Sequence, residues 1–176
     1  MEPAQVIDYT NLGGMKMVRT EISLFLNNAP GELGKLSALL SANGVNIDAL
    51  MIQDASSYVQ ELFKARGKSI KKLASVANYH SMRQDSAEFA LIRILADNSD
   101  AAIDLLSKND YVFDIMPVIA IELENRPGAL ADVTERFGKE GININYVYGS
   151  VFSADQNCLF VFSPEDIDQA ARIFNQ

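Results

Sequence analysis

The chain has 176 residues, 48% of them hydrophobic, a formal net charge of −8 and one cysteine. That length and apolar content suffice to bury a core, no run is long enough to span a bilayer, and a single cysteine excludes an intramolecular disulfide. The acidic balance argues against non-specific nucleic-acid binding, with a basic stretch inside residues 56–88 as a local exception.

Residues 1–16 read as an N-terminal extension without a signal-peptide pattern, so a cytoplasmic location is expected. Within it Ala4–Tyr9 has strand-like composition. Ile22–Leu26 is a predicted strand, rich in β-branched and aromatic residues. After Pro30-Gly31, the residues Leu33, Leu36 and Leu40 fall on one helical stripe, and Gly44 suits a left-handed helix stop. A strand over Asn46–Gln53 follows. The insertion at 56–88 holds Lys64, Arg66, Lys68, Lys71, Lys72 and Arg83. Within it Ile70, Leu73, Ala77 and His80 share one face of a predicted helix over Ser69–Met82. That helix serves either to dock a partner or to cover its own domain. Phe89–Leu95 is the next predicted strand, Asn98-Ser99-Asp100 leads into a helix carrying Ala102, Leu105 and Leu106, and Tyr111–Ile115 closes a first unit over residues 17–115.

Past Pro117 the pattern starts again. The segment Asn28-Ala29-Pro30-Gly31-Glu32-Leu33 returns 97 positions later as Asn125-Arg126-Pro127-Gly128-Ala129-Leu130, and Gly44-Val45-Asn46-Ile47 returns as Gly141-Ile142-Asn143-Ile144. Leu130, Val133 and Phe137 repeat the helical stripe between them. Strands are predicted over Val118–Leu123, Asn143–Phe152 and Cys158–Phe162, and a final helix carries Ile167, Ala171 and Phe174 with Ser163 as N-cap and Pro164 in its first turn. The chain is thus two copies of one unit, each reading as a ferredoxin-like βαββαβ layer, an α+β class with helices on one face of an antiparallel sheet. The second copy, residues 116–176, has no segment left for a fourth strand. Ala4–Tyr9 or a strand from another chain is expected to fill that edge; the other reading makes residues 1–16 a tail.

Asn-x-Pro-Gly-x-Leu leading to Gly-[Val/Ile]-Asn-Ile, present twice, resembles the ACT domain, and the chain is similar to stand-alone tandem ACT proteins. The resemblance implies two units side by side, homodimerisation, a regulatory rather than catalytic role, binding of a free amino acid between paired units, and a partner enzyme or regulator of amino-acid metabolism. It places the ligand at Asn28, Pro30, Gly31, Glu32 and Leu33, and at Asn125, Arg126, Pro127, Gly128, Ala129 and Leu130. The second strand of a partner domain, by position Asn46 and Ile47 or Asn143 and Ile144, closes the site. It implies no cofactor.

The residues themselves are compatible with that chemistry. Backbone N–H groups at a helix start lack partners and carry the positive end of the helix dipole, which suits a carboxylate. Asn28 and Asn125 offer amides that both donate and accept, as the two ends of a free amino acid require. Asn-x-Pro-Gly is also simply a favourable turn, and Asn46 and Asn143 also suit plain backbone satisfaction after a glycine cap. Arg126 offers a fork to carboxylate oxygens where Glu32 repels them, so unequal binding would favour the second loop; its other reading is a solvated loop side chain. With one histidine, His80, and one cysteine, Cys158, no metal cluster or cysteine–histidine pair is expected. Cys158 sits in an apolar strand and reads as core. Asp54, Glu122 and Glu124 read as solvent-facing, and no catalytic residue is assigned. The alternative to an amino-acid sensor is a ligand-free scaffold that assembles another protein through sheet edges or the basic helix.

Overall fold

Alternating apolar residues make the strands of this protein and apolar residues three and four apart make its helices. A computed structural model describes residues 17–55, 89–150 and 157–174. The expectations for Ala4–Tyr9, for the helix at Ser69–Met82 with its His80, and for the link through residues 153–156 lie outside the described residues. The elements run β1 (Val18–Asn27), α1 (Glu32–Ala42), β2 (Ile47–Asp54), β3 (Phe89–Ala96), α2 (Ser99–Lys108), β4 (Phe113–Glu124), α3 (Ala129–Lys139), β5 (Ile144–Ser150), β6 (Asn157–Pro164) and α4 (Ile167–Ile173). This is the expected α+β class.

Two compact units divide the chain, Glu21–Met116 on one side and Met1–Thr20 with Pro117–Gln176 on the other. In the first, antiparallel strands lie in the order β2-β3-β1. Ile22 sits opposite Ile94 and Leu24 opposite Ile92, so their side chains share the face on which Leu36 and Leu40 of α1 and Ala102 and Leu106 of α2 pack. The second unit repeats the arrangement with β4-β6-β5. There Ile119 and Phe162 meet Val133 and Phe137 of α3 and Ala170 and Ala171 of α4. The Phe137 ring lies 5.5 Å from that of Phe162 and 5.7 Å, edge-on, from that of Phe174. Cys158 is buried and free.

The helices stop where the glycines require. Gly44 and Gly141 take φ of 71° and 69°. Val45 N donates to Leu40 O at 3.1 Å and Ile142 N to Phe137 O at 2.9 Å, the six-residue closure that satisfies the last carbonyls. Helix α2 ends in the same way on Asp110, at φ 58°, with Tyr111 N donating to Leu106 O at 3.0 Å. At its start Asn98 Oδ1 accepts from Ala101 N at 3.1 Å.

Two expectations change. Helix α4 is capped by Asp166, whose Oδ1 accepts from Gln169 N at 2.8 Å, and not by Ser163. Ser163 and Pro164 instead finish β6, because their register against Tyr146 and Ile144 of β5 extends the ladder. The strands expected before and after Pro117 are one strand, β4, which passes from one unit to the other at that proline. Proline brings no N–H to a ladder and is tolerated in a strand only where none is asked for. Beside β4, on the edge where the second copy has no strand of its own, runs the lead-in to β1. Ala120 N donates to Met17 O at 2.8 Å, and Met17 and Val18 pack on the core of Ile119 and Phe162.

Candidate functional site

The two Asn-x-Pro-Gly segments fold into the same turn. After β1, Ala29 N donates to Asn27 O at 2.9 Å, Glu32 N to Ala29 O at 3.3 Å and Lys35 N to Gly31 O at 2.9 Å. After β4, Arg126 N donates to Glu124 O at 2.8 Å, Ala129 N to Arg126 O at 3.2 Å and Asp132 N to Gly128 O at 2.9 Å. Gly31 and Gly128 form the N-caps with φ of 90° and 92°, a region that side chains with a Cβ resist. Neither helix has a side-chain cap, so its leading amides are left to the backbone turn and to whatever approaches from outside.

The side chains around the turns differ. Asn28, Pro30 and Gly31 are exposed, and nothing lies within 4 Å of the place a Cβ would take on Gly31. Glu32 is drawn along the helix to Lys35, Nζ to Oε1 2.6 Å, and this pair raises the lysine above its ordinary range. Leu33 packs on the core of its unit, whereas Leu130 is 38% exposed. Asn125, Arg126, Pro127 and Gly128 are exposed and Ala129 is buried. Arg126 Nη2 donates to Asp132 Oδ2 at 2.7 Å, its Nε to Glu124 Oε2 at 3.1 Å and its Nη1 to Pro127 O at 3.4 Å. Asp132 first, and Glu124 after it, hold the guanidinium above its ordinary pKa.

The expected closing residues sit at the far end of each helix. Asn46 N donates to Asp97 Oδ1 at 3.0 Å, its O accepts from Asp97 N at 3.0 Å, and its Nδ2 donates to Asp48 Oδ1 at 3.1 Å. Asn143 O accepts from Glu165 N at 2.9 Å in the equivalent place. Ile47 and Ile144 pack on the cores of their own units. An eleven-residue helix is roughly 16 Å long, so within either unit Asn46–Ile47 and Asn143–Ile144 are not brought to the Pro-Gly turn. Reasoning from sequence missed Glu124 as a partner of Arg126, and missed Asp132 and Asp97 altogether. Asp132 had a visible signal, an acid in the first turn of a helix that begins just after an arginine.

A shallow concavity of about 430 Å3 lies against Glu140, Asp166, Gln169, Arg172 and Ile173, none of which belongs to either Asn-x-Pro-Gly turn. Its polar groups serve helix ends: Gln169 Nε2 donates to Glu140 O at 3.0 Å and Arg172 Nε to Asp168 O at 3.2 Å. Among the described residues no group of three His, Cys, Asp or Glu side chains is placed to hold a metal ion. No described helix is long and apolar enough to cross a membrane.

A family model described as an ACT domain pair matches residues 65–175. The chain belongs to this family. The match contains the second Pro-Gly loop of the ACT pair and begins after the first. Among solved structures, a protein of Bacteroides thetaiotaomicron aligns at 24% identity over 90% of this chain and 88% of its own, with a TM-score of 0.66. The ligand-free regulatory subunit of aspartate kinase from Thermus thermophilus aligns at 14% identity over 89% of this chain and 91% of its own, with a TM-score of 0.50. Likeness at these identities is a likeness of fold. No curated protein matches the chain.

Proposed function

We propose that this ACT pair is a non-catalytic regulatory protein that takes a free amino acid at its strand-to-helix loops. The observation that carries the reading is the paired turn: two uncapped helix starts, each opened by a glycine near φ 90° and preceded by an exposed asparagine. Such a start presents N–H groups to a carboxylate, and the asparagine amide addresses the ammonium end. The separation of Asn28 from Asn46 and of Asn125 from Asn143 within a unit is the reason to expect a second unit to complete each site. Homodimerisation is part of this proposal, as is a cytoplasmic location. The fold shared with a regulatory subunit of aspartate kinase supports an enzyme of amino-acid metabolism as the regulated partner.

Thermal-shift screening of the full chain against the twenty amino acids tests this. At a ligand concentration one hundred times Kd, stabilisation is about 2.7 kcal/mol, a rise of about 5 to 10 °C in Tm for a chain of this size. A selective shift that Asn28→Ala or Asn125→Ala reduces supports the reading. Silence across the set, with a partner retained in pull-down, replaces it with the ligand-free scaffold.

A further inference from the structure

The two loops share a backbone and differ in charge. Where the first copy has Asn27, Ala29, Glu32 and Lys35, the second has Glu124, Arg126, Ala129 and Asp132. In the first loop the ion pair runs along the helix, from Lys35 to Glu32, and leaves the turn uncovered. In the second, the arginine folds back over its own turn, with Nη1 3.7 Å from the place a Cβ on Gly128 would occupy. All three guanidinium nitrogens already donate, two of them to carboxylates. One cation held between two anions leaves the neighbourhood net negative, which disfavours an incoming carboxylate even though an arginine is present.

Resting on the loop reading above, we propose that the second loop is self-inhibited: Asp132 and Glu124 hold Arg126, and a ligand carboxylate gains that guanidinium only by displacing Asp132. Asp132 is on this account a positioning residue that sets affinity through Arg126. The first loop, with Ala29 at the arginine's place and Lys35 at the aspartate's, has no such device and is the more accessible of the two.

The test uses 15N-labelled full-length protein and sodium acetate as the carboxylate probe, titrated against sodium chloride at equal ionic strength. Backbone amides of Gly128 to Leu130 and the Arg126 Nε–H are followed, with Gly31 to Leu33 as the internal comparison. Asp132→Asn is expected to lower the acetate concentration needed at the second loop by about fivefold, the scale on which one exposed ion pair acts. It also moves the Arg126 Nε–H signal. Combining it with Arg126→Ala removes the gain, which general loss of negative charge would not do. Glu124→Gln is the second variant should Asp132→Asn fold poorly, with a smaller gain in the same direction. A first loop that responds while the second is indifferent to Asp132→Asn and Glu124→Gln overturns this proposal alone. A gain that survives Arg126→Ala also overturns it. Silence of both loops in every variant overturns the loop reading and this proposal with it.

Discussion

Glu21 on β1 is the one fully buried carboxylate among the described residues, at 0% exposure. Ser23, two residues along the same face, pairs in register with Arg93 of β3, so the guanidinium reaches Glu21 diagonally across the ladder. Arg93 Nε lies 3.5 Å from Glu21 Oε1, with the arginine side chain 16% exposed, and Ser23 Oγ donates to the same oxygen at 3.3 Å. This face is opposite the one on which Ile22 and Leu24 meet the helices. Removing one partner of a buried pair takes away much of what offsets the other's charge, at a cost of about 3–5 kcal/mol, whereas replacing both with apolar residues of similar volume is often neutral. Arg93→Met is therefore expected to lower Tm by about 6 to 20 °C, and Glu21→Leu combined with Arg93→Met to recover most of that loss. Urea denaturation of the wild type, both single variants and the double variant measures the cycle. An Arg93→Met protein within about 1 kcal/mol of wild type, or a double variant as unstable as the sum of the singles, refutes the argument.

Two further outcomes follow from backbone positions. A Cβ on Gly149 of β5 would stand 2.7 Å and 2.8 Å from ring atoms of Phe160 and 3.1 Å from Leu159 O, so Gly149→Ala costs about 1–3 kcal/mol by overpacking. Phe160→Leu in the same protein returns part of that, read by the urea midpoint; no coupling between the two positions would contradict the contact. Asp110→Gly relieves the left-handed backbone at the end of α2 and raises stability by about 0.5–1 kcal/mol. A neutral or destabilising result in calorimetry would show that the aspartate side chain contributes more than its φ of 58° costs.

The duplication made most of the architecture readable. Gly44 and Gly141 announced the helix stops because few residues besides glycine accept those angles, and the Leu33, Leu36 and Leu40 stripe turned inward as its spacing requires. Ser163 misled because serine before proline is a good cap in isolation. Its pairing with Tyr146 is a long-range contact that local pattern does not carry. Pro117 misled for the opposite reason, since a proline usually interrupts a strand and here marks the passage of β4 between units. At the candidate site the turn itself was legible, backbone and all. The state of Arg126 was not, because the competition for a guanidinium depends on where Glu124 and Asp132 fall in space.

The hydrogen bond from Ala120 to Met17 also orders events during synthesis. The segment Glu21–Met116 holds β1 from Glu21 onward, β2, β3 and both helices of the first copy, and leaves the ribosome with its partners in hand. The later copy must recover Met17 and Val18, about a hundred residues earlier in the chain, before its outer edge is paired. Until then β4 presents an open backbone edge, and such edges recruit neighbours. A proteolytic cut between the repeats, once followed by departure of the N-terminal piece, would have the same effect at any later time: the C-terminal piece would keep its helices and lose the strand that shields it from its own kind.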